Sequence, residues 1–180
     1  MTALDYACTL ETINLLTKEG AIHGSPVKAL FNAFDRSYDE TFEYLLDNKL
    51  ANIEDKDEEG QTVLHIAVSY KYEKIDHLIS KGANVNATDN LGNTPLILAA
   101  HNYNDEITEI VRSLLNHNPD LEAKDNDGMT ALHWAAKRGY ADAVELLVAK
   151  NANAVAVDNS GKTPLELAVE QADGDQLQIV

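Results

Sequence analysis

The stretch Gly128–Asn153, G-M-T-A-L-H-W-A-A-K-R-G-Y-A-D-A-V-E-L-L-V-A-K-N-A-N, reads as two short helices with start and stop signals written into it. Thr130 stands just ahead of an apolar-periodic run, where its hydroxyl can accept from an unpaired first-turn amide, so the first helix is expected to start at Ala131. Leu132, Ala135 and Ala136 fall at i, i+3 and i+4, and the two alanines let a neighbouring backbone come close. Gly139 stops that helix by taking the left-handed conformation cheaply. A second helix follows, with Val144, Leu147 and Val148 expected on its buried face, and it ends at Lys150-Asn151. The polar run from Val155 to Ser160 reads as an extended turn leading to the next Thr.

One such unit cannot fold alone. Burying a Leu or Val side chain gains roughly 1.5–3 kcal/mol, against about 1.5 kcal/mol of conformational entropy for each ordered residue. The unit must therefore bury its faces against neighbours, and the chain contains them. Turn glycines Gly60, Gly92, Gly128 and Gly161 recur at intervals of 32, 36 and 33 residues. Thr62-Val63-Leu64-His65-Ile66-Ala67, Thr94-Pro95-Leu96, Thr130-Ala131-Leu132-His133-Trp134-Ala135 and Thr163-Pro164-Leu165 follow them. This pattern resembles the ankyrin repeat, with its T-P-L-H-x-A signature at a period of about 33 residues.

The resemblance implies an all-α fold, an ankyrin-repeat solenoid of stacked antiparallel helix pairs joined by β-hairpin-like loops, forming a single domain over 1–180. Six repeats are expected, at about 2–24, 25–59, 60–91, 92–127, 128–160 and an incomplete 161–180. The first, from Thr2 to Ala21 and holding Cys8, is a short atypical cap. The second carries Lys28 in the signature His place, Lys49 where glycine is expected, and extra length around Asp35–Glu40 that extends a helix or enlarges a loop. The fourth has similar extra length around Asn102–Glu106, and the third has one residue fewer between its helices. In the last, the second helix is only getting under way at Ile179-Val180, which points to a fragment or part of a longer protein.

A formal charge of −16 makes nucleic acid and anionic membranes poor partners, because phosphates would be repelled, and favours basic or apolar protein surfaces. The lone cysteine, Cys8, rules out a disulfide framework and makes a reducing compartment the default. With no basic n-region or long apolar run, the expected location is cytoplasmic, the alternative being delivery into a host cell without an N-terminal signal peptide.

Catalytic, cofactor and metal sites are not expected. Asp55–Gly60 imitates the start of a calcium loop, but the twelfth position is Ile66, which cannot supply the bidentate carboxylate. Gly161-Lys162-Thr163 ends like a phosphate-binding loop, yet Ala156 stands where its first glycine belongs. The resemblance makes His65 and His133 structural, bonding the hydroxyl at the helix start and the backbone of the adjacent turn.

It also implies a non-enzymatic module binding a protein partner through hairpin tips and the concave face of the first helices. By position the tips comprise Glu58, Glu59 and Gln61, then Asn90, Leu91 and Asn93, then Asn126, Asp127 and Met129, then Asn159, Ser160 and Lys162. Leu91 and Met129 are apolar where a tip meets water. Tyr70, Asn102, Tyr103, Trp134, Lys137 and Arg138 come from first helices, with Tyr70, Tyr103 and Trp134 as an aromatic series of the kind that anchors interfaces. The bland alternative for Trp134 is packing between first helices, and for Lys137 and Arg138 the preference of helix C-termini for cations. Competing functions are the targeting or adaptor portion of a larger enzyme, a bacterial or viral host-directed effector, and an enzyme built within the repeats. A monomer is expected.

Overall fold

The computed structural model describes residues 26–35, 39–70, 72–101 and 106–177, so the first repeat and Cys8 lie outside the described residues. The described regular elements are helices: α1 Pro26–Asp35, α2 Asp39–Asp47, α3 Val63–Tyr70, α4 Ile75–Ser80, α5 Pro95–His101, α6 Ile107–Leu115, α7 Ala131–Arg138, α8 Ala141–Ala149 and α9 Pro164–Leu177. The chain is an all-helical ankyrin-type fold. Contacts divide it into two compact units, Met1–Val63 and Leu64–Val180.

In the first unit α1 packs on α2, and the Phe34 and Phe42 rings meet at 5.5 Å over a core of Ala29, Leu30, Ala33 and Leu45. At ten residues α1 is longer than the eight-residue α7, so part of the extra length of the second repeat is helix. Lys49 takes φ +54°, filling the place of a glycine. Its neighbours Leu50 and Ala51 both donate N–H to the Leu45 carbonyl, closing the helix end. Lysine tolerates this turn at a cost of roughly 1–2 kcal/mol.

In the second unit α5 packs on α7 and α7 on α9, while α4 packs on α6 and α6 on α8. The first helices approach closely because small residues lie between them: Ala99, Ala100 and Ala135 are buried. The second helices contribute Leu78, Leu114 and Leu147, each with no exposure. The shortened link of the third repeat is a 3-10 turn, Tyr72–Lys74, running directly into α4.

Two expectations are corrected. The buried face of α8 is Ala143 and Leu147, while Val148 is 47% exposed, because α6 is its only packed second-helix neighbour among the described residues. The sixth repeat has no short first helix. Ala172 stands where the fifth has Gly139, so nothing turns the backbone left-handed and α9 continues for 14 residues.

Candidate functional site: hairpin tips and first-helix face

Each described tip is built on one aspartate three residues ahead of the turn glycine. Asp57, Asp89, Asp125 and Asp158 each accept through Oδ1 from two backbone N–H groups, two and four residues on: Glu59 and Gln61, Leu91 and Asn93, Asp127 and Met129, Ser160 and Lys162. The aspartate N–H in turn donates to the carbonyl of the residue after the glycine, at 2.9–3.0 Å in all four. These bonds hold the Asp158 carboxyl below the usual range, against the opposing effect of its burial. They also engage the Asp57 carboxylate as a turn acceptor, in the stretch that imitates a calcium loop.

The residue after the glycine returns its N–H and C=O to the aspartate; at this place Asn93 and Met129 are each 4% exposed, whereas the Lys162 side chain keeps 40%. The expected exposure of Met129 is thus corrected. Leu91, just before the glycine, is 63% exposed.

Successive tips of the second unit are bonded edge to edge. Asn126 donates N–H to Leu91 O at 2.9 Å and Nδ2–H to Asn90 O, and Asn159 donates N–H to Asp127 O and Nδ2–H to Asn126 O. A Cβ on Gly128 would sit 2.8 Å from the Asn159 backbone nitrogen, at φ +77°, which explains glycine there.

The signature histidine couples helix start to neighbouring tip. Thr130 caps α7 by accepting from the His133 N–H, while its own N–H donates to His133 Nδ1 at 3.2 Å. Nδ1 is therefore an acceptor, and Nε2–H donates to the Lys162 carbonyl at 3.2 Å in the next tip. His65 Nε2 pairs likewise with the Asn93 carbonyl at 3.0 Å. Burial holds His133 below the ordinary histidine range, as the neutral tautomer demands. In the sixth repeat Glu166 takes this position and accepts from both the N–H and the hydroxyl of Thr163, a reciprocal cap that lowers its pKa.

Trp134, half-buried on α7, joins two repeats. Its indole N–H donates to Asp125 Oδ2 at 2.6 Å, and its ring lies 4.0 Å from that of His101 on α5. Lys137 Nζ is 4.9 Å and Arg138 Cζ 5.7 Å from the indole centroid, within cation–π range. Burial first, and then the Arg138 charge, lower the His101 pKa. Trp134 thus carries the inter-helix packing role, and the basic pair is drawn to its ring. Tyr70, at the end of α3, is 78% exposed. Asn102 and Tyr103 lie outside the described residues, so two members of the aromatic series, Tyr70 and Trp134, are placed. A depression of about 360 Å³ lies between the fifth and sixth tips, floored by Met129 and Leu167 and walled by Asp127, Lys137, Asp158 and Glu170. Lys162 on its rim pairs with Glu170 at 2.7 Å.

A Ser–His–Asp trio occurs on the second-helix side, but it is a fastener. Ser113 Oγ and His117 Nε2 both address Oδ1 of Asp76, at 2.9 and 2.8 Å, joining α6 to α4 and lowering the Asp76 pKa. Nucleophile activation needs serine bonded to histidine, whereas here each is spent on the same oxygen.

The model for ankyrin repeats (3 copies) matches residues 1–89, 72–158 and 108–180, which together span the chain. The chain belongs to the ankyrin-repeat family. It is 35% identical over 105 residues to neurogenic locus notch homolog protein 1 of Homo sapiens, covering 57% of this chain and 4% of that protein. It is also 35% identical over 102 residues to the tyrosine-protein kinase Shark of Drosophila melanogaster, covering 55% of this chain and 10% of that one. The chain thus spans a small part of the length of these relatives. Ankyrin repeats are a protein-interaction fold, and no described helix is long and apolar enough to cross a membrane.

The tip aspartates are the functional-site residues that the reading of the repeats left without a role. Their signal was available: an Asp three residues before each turn glycine, repeating with the same 32, 36 and 33 spacing.

Proposed function

We propose that this chain is a non-enzymatic, monomeric, cytoplasmic module that binds a protein partner through its hairpin tips and first-helix face as one domain over 1–180. It uses no cofactor or metal and takes neither nucleic acid nor membrane. The observation that carries this reading is the division of labour within the second unit. Asp89, Asp125 and Thr130 are engaged in shaping their own tips and helix start, and His65, His133 and Trp134 in contacts to the neighbouring repeat, while Tyr70 and Leu91 are large apolar side chains left 78% and 63% exposed. Exposed aromatic and aliphatic groups on a rigid scaffold suit recognition. Lys137 and Arg138 add cationic contacts beside Trp134, and Asn102 and Tyr103 are proposed contacts from the same first-helix link. The charge of −16 favours a partner with a basic or apolar face.

The test is Tyr70→Ala with Leu91→Ala, used as bait in affinity capture from cell lysates. Capture is expected to be lost with helical signal and melting midpoint unchanged; retention of capture would overturn the assignment. Trp134→Ala is a poorer probe, since it also removes the Asp125 and His101 contacts. A second reading, the targeting or adaptor part of a larger enzyme or host-directed effector, is favoured by the match to a short segment of a tyrosine kinase. Coding sequence joined to an enzymatic domain would support it, and a natural stop directly after Val180 would oppose it.

A further inference from the structure

The depression between the fifth and sixth tips has a charge balance that its own cations do not close. Its walls and floor come from these two repeats alone, with Met129 and Leu167, 4% and 7% exposed, as an apolar base. Three carboxylates, of Asp127, Asp158 and Glu170, line its 360 Å³ together with two ammonium groups, of Lys137 and Lys162. Both cations are already placed. Lys162 Nζ donates to Glu170 Oε2 at 2.7 Å, and Lys137 Nζ lies 4.9 Å from the Trp134 ring centroid. Asp127 and Asp158 are left over.

The backbone brings these two aspartates together. The Asn159 N–H donates to the Asp127 carbonyl at 3.0 Å, so the residue next to Asp158 is bonded to Asp127 itself. Asp158 spends Oδ1 on the amides of Ser160 and Lys162, while its Oδ2 accepts from no described residue. The Asp127 carboxylate is exposed and likewise accepts from no described residue, because Asp125 is the acceptor that builds the fifth tip. At the same tip position the fourth repeat carries Leu91 and the sixth Ser160, so within the second unit this carboxylate is a feature of one cleft.

Resting on the partner-binding reading above, we propose that this cleft is an arginine pocket. It takes one arginine side chain of the bound protein segment, with the guanidinium between Asp127 and Asp158 and the methylene stem on Met129 and Leu167. Two carboxylates on adjacent tips suit a planar fork of N–H donors, and the apolar floor suits the stem. Leu91, on the tip bonded to the fifth, then meets an apolar residue of the same segment. An acidic or phosphorylated side chain is the wrong occupant, since it would meet Asp127 and Asp158 with both lysines already engaged.

The test is selection by the whole chain from random peptides displayed on phage. The parent is expected to enrich peptides with an arginine at a fixed place. Asp127→Asn should lose that preference with the melting midpoint unchanged, and the charge-matched Glu145→Gln, at an exposed position on α8, should keep it. A synthetic copy of the strongest binder should lose about fivefold in affinity at low ionic strength when citrulline replaces its arginine or when the chain carries Asp127→Asn, and no more when the two are combined. Enriched peptides without a preferred arginine, a preference lost equally with Glu145→Gln, or independent losses from the two changes would each overturn the pocket and leave the partner-binding reading standing. Enrichment of no peptide at all would overturn that reading, and the pocket with it.

Discussion

The fifth and sixth repeats carry nearly the same signature and differ in what surrounds it. Thr130 and Thr163 both cap their helices, and Leu132 and Leu165 occupy the same place two residues on. Yet Leu132 is 2% exposed and Leu165 71%. The fifth first helix stops at Gly139, turns back and packs between α5 and α9; the sixth runs straight for 14 residues. A motif thus fixes local conformation, while the value of its apolar residue depends on the neighbour that covers it.

Leu132→Ala gives the sharpest test. It should destabilise by about 2–5 kcal/mol in chemical denaturation, whereas Leu165→Ala should stay within about 0.5 kcal/mol. Equal losses would break the comparison. Next come the turn glycines. Gly128→Ala meets both a positive φ and the Asn159 backbone, while Gly161→Ala, at φ +81°, meets nothing within 4 Å. The expected cost is thus larger for Gly128 than the roughly 1–2 kcal/mol of backbone strain at Gly161. Thr130→Ala should then cost about 1 kcal/mol and expose the amide of Thr130 to faster hydrogen exchange as the His133 ring loses its fixed orientation.

The smallest effects lie in pH dependence. His133 has a folded pKa below its unfolded value of 6.5, so the folded state binds fewer protons and stability falls as pH drops below 6.5. His101 acts in the same direction. Glu166, at the His133 position of the sixth repeat, has its pKa lowered from 4.5 by the Thr163 N–H, so its contribution is present above 4.5 and lost as pH falls below that value. His133→Gln should flatten the stability profile just below pH 6.5, and Glu166→Gln only below 4.5. Unfolding midpoints measured across pH 3–8 at fixed ionic strength on the three proteins separate the two windows; a His133→Gln profile identical to the parent would refute the buried neutral ring.

Much of the fold could be read because each repeat states its own boundaries. Thr130, Gly139 and the recurring glycines act within a few residues, where cap and turn chemistry is local. Lys49, unexpected at a positive φ, shows a neighbouring contact network overriding local preference. The site was less legible. Met129 looks like a tip residue facing water until it is found 4% exposed, and Trp134 looks like a free aromatic until His101 is found 4.0 Å away.

The sequence by itself determined the repeating unit, its helix starts and stops and its acidic character, since these follow from residue type and spacing along the chain. Only the tertiary structure decided which apolar residues became core and which were left facing water. Burial depends on contacts between segments some 30 residues apart, and a side chain carries no local mark of whether such a neighbour arrives.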